Sequence, residues 1–487
     1  MIHYLSKSKL ISGWQCGKRL WLEKNQPDLL VFSAATEAAF AVGHQVGDAA
    51  QQQFPNGILI EHDRELGKAL EETENRLAEP GPVTLFEATF QSDGILIRAD
   101  VLMRDEHDAI RLIEVKASTS VKEYHRNDCA IQLWVLEQQG YNVTQLELAH
   151  INNQFVYQGD GDYAGLFTYA DVLAEARSRQ PMVPRLIQEM REILDGPEPE
   201  VPMGAQCTKP FDCPFIDYCK GPQAEMPVSW LPGGRTAHAK LEAEGYRDIR
   251  DIPEDYLTNK TQEWCRQVSV AGEPDLNPAA AKELSQLGWP RYYFDFETMG
   301  PAVPVFKGTR PYNAQAFQWS CHIEYEDGRI EHEEFLADGS GAPMRPCAEA
   351  MIDALGDTGP VYIYTGFERS VINGFVELFS DLEVPLGAIL VRLYDLHPIT
   401  KNNYYHPDMH GSWSIKKVLP TVAPDLSYDG LDIVSVGTDA EVAFLGMTDE
   451  ANSPEKRSQL REALLRYCKL DTEAMVSLAH HLEGRGG

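Results

Sequence analysis

The chain has 487 residues, too many for one hydrophobic core, so two or three domains are expected. Hydrophobic residues make up 43% of it and no apolar stretch is long enough to cross a membrane. A net charge of −31 argues against nucleic-acid binding through basic side chains alone, because phosphate neutralisation dominates such binding. The N-terminus shows no secretion signal, so we expect a cytoplasmic protein without a membrane partner, whose nine cysteines are thiols or metal ligands.

The first part of the chain, residues 1–220, alternates between helical and strand patterns. The predicted elements are a helix over 1–30, further helix over 36–80 that is interrupted near Pro55, strands between 83 and 116, a helix over 123–139, a strand over 146–153 and a helix over 170–194. Strands followed by a helix and another strand favour an α/β core with helical additions.

Two predicted strands of this part carry a candidate metal site. The strand GILIRAD ends at Asp100, and LIEVKAS places Glu114 and Lys116 on one face. Two carboxylates can hold a divalent cation, and a lysine can orient water or stabilise developing negative charge. The alternative is an exposed charged face, but the apolar surroundings favour a site, since buried charges need partners.

Two further residue groups extend this candidate site. On the predicted helix over 123–139, Asp128 and Gln132 share a face. Upstream, His44 follows a glycine in a helix-like stretch, and a neutral imidazole suits a manganese-type site.

Four cysteines could enclose this whole segment. Cys16 stands near the start, and Cys207, Cys213 and Cys219 follow with C-x5-C-x5-C spacing. Structural zinc sites usually use shorter spacings, and four thiolates can hold a [4Fe–4S] cluster, so an iron–sulfur cluster, zinc and separate buried cysteines are the alternatives. The remaining five cysteines are predicted to be ordinary small apolar residues; they are Cys129, Cys265, Cys321, Cys347 and Cys468.

In this order, the motifs of residues 1–220 resemble those of RecB-type nucleases of the PD-(D/E)xK superfamily. The similarity is to the iron–sulfur branch that includes CRISPR-associated exonucleases and AddB-like helicase–nucleases. It implies a restriction-endonuclease-like core, a [4Fe–4S] cluster on the four cysteines, and Mg²⁺ or Mn²⁺. The implied metal and catalytic residues are His44, Asp100, Glu114, Lys116 and Gln132. One departure is Leu136, which stands where the family has tyrosine four residues after the glutamine.

Residues 221–289 are predicted to form a helical connector, and a third domain is predicted over 290–487. The connector's role is either mere linkage or contact with a nucleic-acid backbone. The third domain mixes predicted strands and helices, as in a sheet flanked by helices. Its predicted strands lie over 291–298, 315–325, 331–336, 360–365 and 389–396, its helices over 343–355, 367–379 and 455–483, and an exposed loop over 436–455.

A second set of carboxylates lies in this third domain. RYYFDFET places Asp295 and Glu297 on one strand face, and RYCKLDTEAM places Tyr467 and Asp471 on one helix face. Glu368 follows another predicted strand. Carboxylates drawn together repel one another unless cations neutralise them, and two metal ions could then hold both oxygens exchanged at a phosphodiester.

These residues resemble the motifs of DnaQ-like (DEDD) 3′–5′ exonucleases, which have an RNase H-like fold. The similarity covers roughly 290–487 and implies a tyrosine-containing last motif. The family's middle motif has Asp where Glu368 stands here, and Asp395 is the alternative fourth ligand.

The segment over 404–417 gathers aromatic side chains with Lys416 and Lys417. Such a group suits stacking on a single strand, and a loop packed on its own aromatics is the equal alternative.

The two-part arrangement is similar to bacterial proteins that fuse a RecB-like nuclease to a DnaQ-like exonuclease domain. That resemblance implies a metal-dependent nuclease, with DNA favoured over RNA as the nucleic-acid partner, in repair, recombination or defence. The alternatives are a nucleic-acid-binding scaffold with one or both sites inactive, and an RNA-processing exonuclease.

Overall fold

The computed structural model describes residues 4–61, 65–428, 431, 433–434 and 437–485. The fold is mixed α/β and divides into two compact units. The first unit is Met1–Gly221 with Pro301–Tyr312, and the second is Pro222–Gly300 with Asn313–Gly487. Within the described ranges, no helix is both long and apolar enough to cross a membrane.

The first unit is a mixed sheet with helices packed on it. Its strands are β1 (Leu5–Ser6), β2 (Ile58–Leu59), β3 (Val83–Ser92), β4 (Ile95–Arg104), β5 (Ala109–Lys116), β6 (Asn142–Ile151) and β7 (Phe167–Asp171). Its helices are α1 (Lys7–Gln15), α2 (Gly17–Asn25), α3 (Ala34–Gln51), α4 (Leu66–Ala78), α5 (Glu123–Gln138), α6 (Leu173–Arg179), α7 (Val183–Asp195) and α8 (Ile216–Lys220). The strand order is β2-β3-β4-β5-β6-β7, and β1 pairs with β4.

The centre of this sheet follows from two local features of the sequence. Asp93 and Gly94 have φ of 44° and 73°, which a two-residue hairpin turn between β3 and β4 requires. The antiparallel β4–β5 pair is followed by α5, which crosses over so that β6 can lie parallel to β5. Helix α5 buries both its apolar side chains and its polar Asp128 and Gln132.

The second unit contains a five-stranded sheet and a two-stranded ribbon among the described residues. Its strands are β8 (Asp275–Leu276), β9 (Arg291–Met299), β10 (Gln315–Glu324), β11 (Ile330–Leu336), β12 (Val361–Ile363), β13 (Leu393–Asp395) and β14 (Tyr404–Tyr405). Its helices are α9 (Gly234–Ala243), α10 (Lys260–Ala271), α11 (Ala279–Leu284), α12 (Met344–Leu355), α13 (Phe367–Leu378), α14 (Glu383–Leu390), α15 (Leu396–Asn403), α16 (Ile415–Val422), α17 (Gly437–Thr448) and α18 (Pro454–Leu482). The sheet order is β11-β10-β9-β12-β13, with β9, β10 and β11 antiparallel and β12 and β13 parallel to β9.

Helix α18 is held against β9 and β10 by polar contacts along its length. Gln318 on β10 donates to the Leu464 carbonyl at 2.8 Å, and Ser320 bonds Thr472 at 2.8 Å. These buried contacts fix the rotation of the helix segment that carries Asp471 and its position along the helix axis relative to β10.

The segment 221–289, predicted as a connector, belongs to the second unit. Val228, Leu241 and Ile249 are buried in one apolar cluster with Tyr293 and Tyr362 of the central strands. The segment is therefore part of a packed core, because apolar side chains from several of its short helical elements are buried against those strands.

Two other predictions for the second unit are wrong. The exposed loop predicted over 436–455 contains α17, whose Ala440, Ala443 and Phe444 are buried at helical spacing. The strand predicted over 389–396 is shorter, because α14 extends to Leu390 and β13 begins at Leu393. Short apolar runs do not distinguish a buried helix from a buried strand by period alone.

The aromatic segment over 404–417 forms core rather than a stacking platform. Tyr404, Tyr405 and Trp413 are buried, and the Trp413 indole donates to the Tyr404 carbonyl at 2.8 Å. Of the two alternatives, the loop packed on its own aromatics is therefore the one observed.

Candidate functional site

The first unit brings the predicted acidic residues together at the centre of its sheet. Asp100 lies on β4 and accepts the Val115 backbone N–H at 2.6 Å, so it sits beside Glu114 on β5. Glu114 accepts hydrogen bonds from the Lys116 ammonium and the Gln132 amide. β4, β5 and α5 thus converge on one polar cluster inside an apolar core.

Burial and charge act strongly on this cluster. Burial, together with the charge of Glu114, raises the pKa of Asp100 to about 8. Burial alone would also raise the pKa of Glu114, but the adjacent Lys116 and Lys7 ammonium groups outweigh it and lower that pKa. The Asp100 carboxyl group is therefore held protonated near neutral pH, whereas the neighbouring Glu114 is held ionised. A bound divalent cation would favour the ionised form of Asp100.

Sequence reasoning missed Lys7 as a member of this cluster. Its Nζ lies 2.9 Å from Glu114 Oε1 and 3.1 Å from Asp128 Oδ1. Glu87 was missed too. Its neighbours Phe86 and Ala88 pair with the two residues that flank Asp100, its φ is 54°, and its charge adds to the raised pKa of Asp100. A non-glycine residue at positive φ inside a strand is strained, which is typical of sites where a side chain must be aimed.

His44 is not brought into this cluster. It lies exposed on α3, and nothing in the described part of the chain joins it to Asp100 or Glu114. The predicted metal-ligand role of His44 is therefore without structural support, because α3 turns that side chain to the surface.

The four cysteines that were predicted as cluster ligands line one pocket of the first unit. Cys16 follows α1, Cys207 ends a 3-10 turn, Cys219 lies on α8, and the Cys213 N–H bonds the Cys207 carbonyl at 2.9 Å. Burial raises the pKa of the Cys213 and Cys219 thiols, and the neighbouring thiols add to this. Four sulfur donors around one pocket fit a soft metal or an iron–sulfur cluster.

The second unit gathers another acidic group between β9, α13 and α18. One oxygen each from Asp295 and Glu297 and the Cys468 sulfur all lie within 4.8 Å of one another. Glu368, in the first turn of α13, hydrogen-bonds Asp295. Its side chain is only 1% exposed, and its Oε2 meets no hydrogen-bond partner among the described residues.

Burial destabilises the ionised form of all four carboxyl groups in this part of the second unit, which belong to Asp295, Glu297, Glu368 and Asp471. Burial is the largest cause for each, and it raises the pKa of Glu368 to about 7 and that of Asp471 to about 8. Burial and the neighbouring carboxylates also raise the pKa values of Asp295 and Glu297 well above the usual range. A bound cation would remove this penalty, and the unpartnered oxygen of Glu368 is a ready ligand, so the donor set fits Mg²⁺ or Mn²⁺.

Tyrosine and lysine side chains complete this group. Tyr428 donates a hydrogen bond to Asp471, and Lys416 Nζ lies 5.3 Å and 5.0 Å from the ring centroids of Tyr428 and Tyr467. Asp295, Glu297 and Lys416, with the predicted pair on α18, line a cavity of about 440 Å³. The cavity wall therefore carries acidic side chains together with one cationic side chain.

Two residues here add to the sequence predictions. Cys468, predicted as an ordinary apolar residue, adjoins Asp295 and Glu297. Asp395, the alternative fourth ligand, instead accepts the backbone N–H groups of Thr365 and His397, each at 2.9 Å, and caps α15. Both donors bind the Oδ1 atom of this strand-end aspartate at the helix N-terminus, and the charge of Asp395 adds to the raised pKa of Glu368.

Known proteins offer limited comparison. The model of a domain of unknown function, DUF2779, matches residues 292–414, which include Asp295, Glu297 and Glu368 but end before Tyr467 and Asp471. Among solved structures, the crystal structure of SSO0001 is similar at 18% sequence identity and a TM-score of 0.24, covering 44% of this chain and 84% of that chain. No curated protein matches the sequence.

Proposed function

We propose that this chain is a metal-dependent nuclease with two active sites, one in each unit. The first unit would be a RecB-like domain with a restriction-endonuclease-like core and a [4Fe–4S] cluster, and the second a DnaQ-like exonuclease domain with an RNase H-like fold. DNA is the favoured substrate, in the cytoplasm, by analogy with the proteins that the motifs resemble.

The acidic cavity of the second unit carries this proposal. Asp295, Glu297 and Asp471 line it, and Glu368 hydrogen-bonds Asp295. Burial raises the pKa of all four carboxyl groups. A protein gains no stability from such an arrangement, because uncompensated buried charges cost free energy. Clusters of strongly perturbed carboxyl groups in a cavity are typical of functional sites, and binding of divalent cations would account for their retention.

The residues present suggest how phosphodiester hydrolysis would proceed in the second unit. Asp295, Glu297, Glu368 and Asp471 would hold the ions, which supply charge neutralisation and Lewis acidity when bound. Tyr467, in contact range of the carboxylates, would orient the attacking water through its hydroxyl group. Lys416, which lines the same cavity, would attract the substrate phosphate despite the acidic net charge of the chain.

The first unit offers a second, differently built site. Asp100 and Glu114 would hold a cation, and Lys116, bonded to both Glu114 and Asp128, would stabilise the negative charge that develops on the phosphate. Gln132 would fix the orientation of Glu114. The cysteine pocket would hold the cluster that closes a chain segment running from Cys16 to Cys219, which restrains the unit.

Cleavage assays on the full chain would test the proposal. Single- and double-stranded DNA and matched RNA would be incubated with Mg²⁺ or Mn²⁺ and with the wild-type, Glu114→Gln, Glu297→Gln and doubly substituted proteins. We expect each single variant to lose one component of DNA cleavage and the double variant to lose both. Equal cleavage by the double variant and wild type, or none by wild type on any substrate, would reject the proposal, and preferential RNA cleavage would reassign the substrate.

A further inference from the structure

The lysine at the start of α1 has no role in the site that the motifs describe, yet it reaches the centre of that site. Lys7 Nζ lies 2.9 Å from Glu114 Oε1, the same oxygen that accepts the Lys116 ammonium. Two ammonium groups from different elements therefore share one carboxylate oxygen. The two ammonium groups repel each other, so further contacts must keep Lys7 in this position.

Helix α1 supplies the position of Lys7. Ser6 caps the helix by accepting the Lys9 N–H at 3.3 Å, which sets Lys7 as the first helical residue. At the other end, the Gln15 amide donates to the carbonyls of Gln206 and Phe211, each at 2.7 Å. The helix thus spans from the cysteine loop to the carboxylate cluster, and Lys7 lies at its start, directly after strand β1, which pairs with β4.

Asp128 offers Lys7 a second partner. Asp128 Oδ2 accepts the Lys116 ammonium at 2.8 Å, whereas Oδ1 lies 3.1 Å from Lys7 Nζ and accepts no hydrogen bond from any described residue. A flexible four-carbon side chain can move from one carboxylate to the other without any backbone movement. Lys7 could therefore give up Glu114 and keep Asp128.

We propose that Lys7 and a divalent cation compete for Glu114, and that Lys7, once displaced, remains on Asp128 as a second positive charge beside the substrate phosphate. This inference rests on the proposed nuclease function of the first unit. A cation held by Asp100 and Glu114 repels the ammonium on Oε1, and Asp128 retains that ammonium nearby. The retained charge stabilises negative charge developing on the phosphate.

The competition predicts opposite effects on metal binding and on cleavage. In a Glu297→Gln/Asp471→Asn background, which removes the second site, Mn²⁺ affinity would be measured from the electron paramagnetic resonance signal of free Mn²⁺. Lys7→Gln should bind Mn²⁺ about tenfold more tightly and cleave DNA about tenfold more slowly at saturating Mn²⁺. A residue that only supported the fold would weaken both properties together.

Two further variants make the test specific. Lys9→Gln is the matched control, because Lys9 lies on the same helix and pairs with Glu23 at 2.7 Å, and it should leave both quantities unchanged. Lys7→Arg keeps the charge and should restore most of the cleavage rate. Unchanged or weaker Mn²⁺ binding by Lys7→Gln, or an unchanged cleavage rate, would overturn the proposal.

A separate control distinguishes an incorrect role for Lys7 from an incorrect metal site in the first unit. Asp100→Asn/Glu114→Gln in the same background should lose Mn²⁺ binding. If that protein still bound Mn²⁺ as tightly as its parent, the metal site of the first unit would itself be wrong, and the role of Lys7 with it.

Discussion

Replacing Glu368 with glutamine should stabilise the protein above neutral pH. Burial raises the pKa of this carboxyl group from 4.5 to about 7, so the folded state keeps it protonated where the unfolded chain has already ionised it. The stability linked to this proton is complete below pH 4.5 and is lost as the pH rises to about 7. The difference between the two pKa values corresponds to about 3 kcal/mol of folding stability that wild type loses at high pH. Glutamine carries no charge, so the variant would not lose this stability.

Urea unfolding at pH 4.5 and pH 8, with a chelator present, would measure this effect. Glu368→Gln and wild type should have similar stability at the lower pH, and the variant should be more stable by up to about 3 kcal/mol at the higher pH. Glu377→Gln, exposed on the same helix, is the matched control and should change neither value. Equal pH dependence in Glu368→Gln and wild type would refute the claim that this carboxylate is destabilised by burial.

Three other changes probe separate parts of the structure. Tyr428→Phe removes the hydrogen bond to Asp471 and should lower cleavage by the second site about tenfold, measured in a Glu114→Gln background, while the circular dichroism spectrum stays unchanged; an unaltered rate would show that this hydroxyl does not position Asp471. Cys213→Ser should lose the iron and the visible absorption of anaerobically purified protein, and an iron-containing variant or a zinc-containing wild type would contradict the cluster assignment. Arg291→Met breaks a buried 2.7 Å ion pair with Glu483 and should cost about 3 kcal/mol in the unfolding of the second unit, and no measurable loss would mean that the pair is compensated by Arg485.

Local spacing predicted the parts of both candidate sites that lie on one element. Glu114 and Lys116 two residues apart on a strand, and Tyr467 and Asp471 four apart on a helix, share a face whatever the surrounding fold. The structure does place each pair on one strand or one helix. The apolar residues around them identified those elements as buried, which made their charges informative.

Contacts between distant segments could not be predicted in this way. Lys7 lies 107 residues before Glu114, and Tyr428 lies 43 residues before Asp471, so no periodicity links them. Cys468 has a small apolar side chain, yet it lies beside the carboxyl groups of Asp295 and Glu297. This proximity arises from the packing of α18 against β9, which the sequence pattern does not reveal. The capping of α15 by Asp395 was not predicted either, because the start of a helix was not visible in a short strand-like run.

Asp100 with Glu114, and Asp295 with Glu297, are the two carboxylate pairs proposed to hold divalent cations. Anomalous scattering from crystals of the full chain soaked in Mn²⁺, recorded at the manganese absorption edge, would test this most directly. The account predicts anomalous peaks in contact with the carboxylate oxygens of both pairs, and their loss in Glu114→Gln and Glu297→Gln crystals, respectively. Crystals that show no peak at either pair under saturating Mn²⁺ would contradict it.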